Sequence, residues 1–328
     1  MSFELLRNEV NKGMEGRNTG IPMGFNRLNR YIGIRKGIYF LVGGLTGSGK
    51  TSFIDDAFVL NPFDWLISPE GQNSGIKLKI WYRSMERSRT YKLAKWVSRK
   101  IFVDHGVIIP ISKLLGWTDR MTKDEHDLFL MYEDYVEAMK EVITIIDGPE
   151  NPVGIAKELK AYALGRGKIE QVDEYNKRYI PNDDNEITIV VTDHIGLLKT
   201  TTTQPTKKQA IDKMSDELRF ARDFYGYTPV VVSQFNRDIS NPIRQKNGDV
   251  EPQLEDFAES SQTQNDADVV LILTSDESYK KTNILINNKI LSINKLLNEH
   301  FKKYGNKVNN LDFVFLNLLL GKIGRAHV

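Results

Sequence analysis

Cysteine is absent from the 328 residues. That excludes disulfides, thiol nucleophiles and thiolate-bound zinc, and it fits a reducing compartment. Histidine is scarce: there are five, at positions 105, 126, 194, 300 and 327, and that scatter does not suit a histidine-based metal site. An excess of one charge is also lacking. Lys and Arg number 45 against 43 Asp and Glu, which leaves +2, so binding to nucleic acid would need local patches. No uninterrupted apolar run is long enough to span a bilayer, and residues 1–18 are too polar and charged to read as a secretory signal. These absences lead to the expectation of a cytoplasmic protein with no membrane partner. What remains is ordinary for a globular chain, 40% hydrophobic and 27% charged, with length for one large core or two modest ones.

What is present in force is one stretch, Ile38 to Phe53, and the chain is organised around it. Gly44 to Thr51 fits a phosphate-binding loop: glycine, four residues, glycine, lysine, threonine. Gly47 and Gly49 lack a Cβ, so the backbone can curl and aim its N–H groups at phosphate oxygens. The helix that follows points its positive end at the same anion. Lys50 can reach the β- and γ-phosphates, and the Thr51 hydroxyl can ligate Mg²⁺. Gly44, Thr46, Gly47, Ser48, Gly49, Lys50, Thr51 and Ser52 are therefore the expected nucleotide-binding residues. The bland alternative is a glycine-rich turn that binds nothing. Against it stands the context, a short apolar strand at Ile38 to Val42 and then Phe53, Ile54, Ala57, Phe58 and Leu60 at helical spacing, stopped by Pro62.

Further apolar runs follow in order. Ile76 to Tyr82 reads as a second strand after a polar segment, Asn61 to Gly75, and Glu86 sits just past its end. Catalytic groups in open α/β sheets gather at the carboxyl ends of strands. Two roles are open to Glu86, general base for water or a helix-start residue favoured by the dipole. A helix follows with Tyr91, Ala94, Val97 and Ile101 on one side. His105 to Val142 reads as mostly helical, and its stripe of Phe129, Tyr132, Val136 and Met139 as core. Val142 to Ile146 is a third strand, Pro152 to Leu164 a helix, and Gly165 to Asn185 a charged, loop-like excursion.

Ile187 to Val191 is a β-branched fourth strand that ends in Thr192-Asp193-His194. An apolar strand ending in aspartate meets the second nucleotide motif, whose carboxylate holds Mg²⁺ directly or through water. Leu198 to Lys208 contains Lys199, Lys207 and Lys208 among four threonines. It is either a solvated loop or a mobile basic loop for a phosphodiester backbone. A helix from about Ala210 to Tyr225 has Ile211, Met214, Leu218 and Ala221 toward the core. Thr228 to Val232 is a fifth strand ending in Ser233-Gln234-Phe235-Asn236-Arg237, where Gln234 can hydrogen-bond a γ-phosphate. Asp238 to Pro252 is a second polar loop, with Arg244 and Lys246. Asp268 to Leu273 is a sixth strand, 288–305 contains a helix with Ile290, Ile293, Leu296 and Leu297, and Leu311 to Leu320 is a final strand. The alternation implies an α/β fold with a mainly parallel, twisted sheet flanked by helices.

Taken together, these residues resemble the C-terminal motor domain of replicative DNA helicases of the bacterial DnaB type. The resemblance runs from about Gly20 to Leu320. It rests on Gly20-Ile21-Pro22-Met23-Gly24-Phe25, the loop Gly44 to Thr51, Ser84-Met85-Glu86, Asp193, Ser233 to Arg237, and Glu259-Ser260 with Asn265 to Val270. It implies a RecA-like phosphate-loop NTPase fold and a ring, in all expectation a homo-hexamer, binding ATP and Mg²⁺ between subunits and single-stranded DNA in its channel. Lys50 and Thr51 would hold phosphate and Mg²⁺, Glu86 would polarise water, and Gln234 would sense the γ-phosphate. Lys199, Lys207, Lys208, Arg237, Arg244, Lys246 and Glu259 are the DNA-contact candidates. The expected division is a docking helix over 1–19 and a motor domain over 20–328 with a helical insertion at about 103–141.

The sequence departs from that family in three places. The family's N-terminal helical domain has no counterpart, which puts contact with a primase or helicase loader in doubt. The stretch expected to carry an arginine finger reads Asn317-Leu318-Leu319, with Lys322 and Arg325 close by; a lost finger would lower in-trans catalysis by about three to five orders of magnitude. Ala258 and Ser261 stand where an arginine and a glycine are expected. Two enlarged segments suggest a phage-encoded relative acting in a bacterial cytoplasm. The ending Ile323 to Val328 resembles a translated sequencing adapter, hence the expectation of a gene cut at a contig end. The competing functions are a RecA-like recombinase, a clock-type ATPase and a DNA-binding assembly protein switched by ATP.

Overall fold

The structure is a computed structural model, and it describes residues 3–14, 18–236, 254–258, 261–275, 283–286, 289–292 and 314–319. Its strands are β1 (Phe40–Gly44), β2 (Lys77–Ser84), β3 (Ile143–Asp147), β4 (Gly167–Gln171), β5 (Lys177–Pro181), β6 (Glu186–Asp193), β7 (Thr228–Gln234), β8 (Val269–Ser275), β9 (Asn283–Ile286), β10 (Lys289–Ser292) and β11 (Val314–Leu319). Seven form one sheet in the order β11-β8-β1-β7-β6-β2-β3. Six run parallel, and β11 closes one edge antiparallel to β8.

The α-helices among the described residues are α1 (Phe3–Met14), α2 (Lys50–Asp55), α3 (Asn61–Ile67), α4 (Pro69–Asn73), α5 (Arg89–His105), α6 (Ile111–Leu114), α7 (Lys123–Leu130), α8 (Glu133–Val142), α9 (Pro152–Leu164), α10 (Lys207–Tyr225) and α11 (Ser261–Asp266). A parallel sheet covered on both faces needs strands that are apolar on both faces. β1 shows it directly. Phe40 and Val42 point into one core with Phe53, Phe58 and Phe63 from the α2–α3 run, Trp96 of α5 and Met139 of α8. Leu41, between them, points into the other with Ile155 and Leu159 of α9 and Ile211, Met214 and Leu218 of α10. A third, smaller cluster joins Val97 and Ile101 of α5 to Ile109 and Tyr132.

Four sequence expectations change. Pro62 does not end the first helix. The chain passes through a π-helical turn, Asp56–Leu60, and Pro62 lies in the first turn of α3, where a missing N–H costs nothing. Gly165 to Asn185 is no loop, because β4 and β5 pair as an antiparallel hairpin. Tyr179 secures it: its hydroxyl donates to the Ala163 carbonyl at 2.8 Å, and its ring stacks edge-on against Tyr225. α10 starts at Lys207, three residues earlier than expected, because Thr206 and Gln209 form a capping box. Ile290, expected on a helix, lies in β10, paired with β9. Ile293, Leu296 and Leu297 fall outside the described residues.

Candidate active site

The order of the sheet decides what meets at its carboxyl end. β1 lies between β7 and β8, and β6 lies next to β7, so the chain segments leaving β1, β6 and β7 emerge side by side. Gly44 is level with Gln234 across β1–β7, and Ser84 with Asp193 across β2–β6. Sites in open α/β sheets form outside the carboxyl ends of the strands.

The loop after β1 turns through two left-handed glycines, Gly47 at φ 83° and Gly49 at φ 84°, and Gly49 caps α2. A side chain would be strained at both positions. Lys50 opens the helix. Its ammonium folds back on the loop, donating to the carbonyls of Gly44 at 2.8 Å and Leu45 at 2.7 Å. An anion in the loop would compete for those same N–H donors. The Ser48 hydroxyl is buried and has no hydrogen-bond partner among the described residues, a donor aimed within the loop.

Thr51 and Asp193 are brought together although 142 residues separate them: the Thr51 hydroxyl donates to Asp193 Oδ1 at 3.2 Å. One hydroxyl and one carboxylate oxygen are the hard donors a Mg²⁺ ion takes from a nucleotide site, so the pair fits that ion. Ser52, also expected at the site, instead accepts a hydrogen bond from Lys95 at 3.1 Å.

Glu86 stands just beyond β2, half exposed, and pairs with Arg87 Nε at 3.9 Å. At that distance and exposure the ion pair contributes little, so it does not commit the carboxylate to a structural role. Arg87 lies over the Tyr91 ring instead. Gln234 Nε2 lies 3.3 Å from His194 Nε2. Burial pushes the His194 imidazole below its ordinary value, and the nearby charges of Asp193 and Glu86 only partly offset this. His194 is therefore a neutral hydrogen-bonding partner near physiological pH. Gln234 is tied to a second segment. Its carbonyl accepts from Ala258 N–H, Asn236 N–H donates to the Asp256 carbonyl, and Phe235 meets Phe257 edge to face at 4.9 Å.

Lys207 and Lys208 lie in the first turn of α10, not in the loop before it, and the Lys207 ammonium donates to the Leu198 carbonyl. Lys199 remains in the loop, its N–H bonded to the Glu150 carbonyl. Arg237, Arg244, Lys246 and Glu259 lie outside the described residues, as do Lys322 and Arg325.

Sequence reasoning missed the groups behind Asp193. Lys92, Tyr82 and Asp55 are buried there together and bond its second oxygen or one another. A signal existed: Asp55 and Lys92 are charges set within apolar helical stripes, beside Ile54 and Phe58 in one case and Trp96 in the other.

A nucleotide-type loop, a strand-end aspartate bonded to it and a six-stranded parallel core under helices define a RecA-like phosphate-loop fold. Residues 165–304 match the model of the DnaB-like helicase C terminal domain. A probable replicative DNA helicase from Trieres chinensis is 31% identical over 118 residues, 35% of this chain and 24% of that protein. Among solved structures, an ATPase domain superposes with a TM-score of 0.61 at 19% identity, over 94% of this chain and 99% of that one. A DnaB-like replicative helicase, solved in a study of its interactions with primase, gives 0.60 at 20% identity, over 86% of this chain and 58% of that one. The chain thus spans about a quarter of the curated relative and under two thirds of that helicase. The two structural likenesses speak for the fold.

Proposed function

We propose that this chain is the ATP-driven motor of a replicative DNA helicase, which hydrolyses ATP at subunit interfaces and translocates on single-stranded DNA. The observation that carries this reading is the hydrogen bond between Thr51 and Asp193, which joins the two nucleotide motifs, with Gln234 one strand away from Asp193. Lys50 and the loop N–H groups bind the phosphates. Thr51 and Asp193 would hold Mg²⁺, which supplies charge neutralisation on the phosphate oxygens. Glu86 accepts the proton of the attacking water. Gln234 bonds the terminal phosphate, and the three ties that Gln234, Phe235 and Asn236 make to 256–258 carry the change toward the expected DNA loop.

Residues 20–328 form the motor domain, with 103–141 as its helical insertion, and residues 1–19 dock on a neighbouring subunit. In support, Phe3, Leu6, Val10 and Met14 line one face of α1 and are all more than half exposed. The proposed assembly is a homo-hexameric ring, with primase or a loader as the outside partner. Lys50→Ala tests the nucleotide assignment: the variant keeps its fold by circular dichroism and loses ATP binding or turnover. Normal hydrolysis would overturn the assignment.

A further inference from the structure

Lys92 projects from α5 into the space between α2 and the end of β6, and only 1% of it is exposed. Its ammonium has three donors and three acceptors around it: Tyr82 OH at 2.5 Å, Asp193 Oδ2 at 3.0 Å and Asp55 Oδ1 at 3.3 Å. The Tyr82 hydroxyl lies within donating reach of the same two carboxylate oxygens, 2.9 Å from Asp193 Oδ2 and 3.0 Å from Asp55 Oδ1, and serves one at a time. Asp55 Oδ2 is taken by Lys95 at 2.9 Å. The two carboxylates are balanced by the two ammonium groups.

Such a cluster is a poor way to gain stability. Charges lose their hydration on burial, and apolar residues of similar volume often serve a fold as well or better. Its geometry points elsewhere. Asp193 has one oxygen gripped from behind by Lys92 and Tyr82, and the other is left facing Thr51. A carboxylate held at one oxygen cannot swing about its last torsion, so the second oxygen stays aimed at the metal position.

We propose that Lys92, Tyr82 and Asp55 are positioning residues that orient Asp193 for a divalent cation. Asp55 and Lys95 keep Lys92 in place, and Lys92 with Tyr82 holds Asp193 Oδ2. This inference rests on the assignment of Thr51 and Asp193 as metal donors.

The test is an apolar exchange, Asp55→Leu with Lys92→Leu, which leaves the net charge unchanged; Lys95 reaches solvent, and Asp193 Oδ2 keeps Tyr82 but loses its ammonium partner. Mn²⁺ is titrated in the presence of a non-hydrolysable ATP analogue and followed by electron paramagnetic resonance. Nucleotide affinity is measured separately in EDTA. The expected result is Mn²⁺ affinity lowered by about tenfold or more, metal-free nucleotide affinity unchanged, and the fold retained by circular dichroism. Mn²⁺ affinity equal to wild type would overturn the proposal. If the double variant fails to fold, Tyr82→Phe decides, since it removes one bond to the same oxygen and no charge: about a threefold loss of Mn²⁺ affinity is expected, and none would overturn it. Asp193→Asn separates the two layers. Loss of Mn²⁺ binding there with none in the double variant leaves the metal site standing and the positioning role refuted. No loss in Asp193→Asn refutes the site itself.

Discussion

At the scale of single residues, a local signal and a long-range one behave differently. Gly47, Gly49, Lys50 and Thr51 are neighbours in sequence, and the geometry they need, two left-handed glycines before a helix, is set within a few residues. The loop was therefore legible from its pattern alone. Lys92 and Asp55 were not. Each is one charge on an otherwise apolar stripe, and what it does depends on how α5 docks against α2. Glu86 lies between these cases: its place past β2 was readable, and its chemistry depends on exposure. Among the described residues Glu86 makes a long, solvent-exposed ion pair with Arg87. Glu86→Gln is expected to retain ATP binding and to lose hydrolysis by about 10²–10⁴-fold, the usual contribution of a general base. Steady-state turnover together with an equilibrium binding assay reads both. Unchanged turnover would move the base elsewhere.

At the scale of elements, most of the sheet was visible because buried parallel strands are continuous apolar runs. β1, β2, β6, β7 and β8 were all found within a few residues of their ends. The β4–β5 hairpin was hidden because charged residues alternate with Ile169, Tyr179 and Ile180, and the partners of those side chains, Tyr225 among them, are distant in sequence. Pro62 misled for a related reason: proline breaks a helix interior and suits a first turn, and a π-helical turn reset the count. One contact between elements gives a sharp prediction. A Cβ on Gly43 would come within 2.3 Å of the Phe257 ring and 2.9 Å of the Phe235 ring. Gly43→Ala should therefore force that buried pair apart, at a cost of about 1–3 kcal/mol, the usual range for overpacking. The urea midpoint measures it. A midpoint equal to wild type would mean that the rings move aside freely.

At the scale of the whole molecule, the strand order β11-β8-β1-β7-β6-β2-β3 gathers the candidate site from segments scattered along the chain from Gly44 to Gln234. No spacing rule reads such an order from sequence; the strand-end residues Asp193 and Gln234 hinted at it. The apolar face of α1 has the same status: its helical spacing was readable, and its exposure supports the proposal that it docks on a second copy. Deleting residues 1–14 is expected to leave the thermal midpoint of the remaining chain unchanged and to shift sedimentation toward the monomer. A lowered midpoint with unchanged assembly would mean that α1 packs on its own subunit. The central claim, a motor whose nucleotide site is coupled to a DNA strand, is tested most directly by one measurement: ATP hydrolysis by the purified chain with and without single-stranded DNA. Strong stimulation by DNA, absent in Glu86→Gln, is the predicted result. ATP bound but turned over at the same slow rate with or without DNA would contradict the motor and favour a protein that uses the nucleotide as a switch.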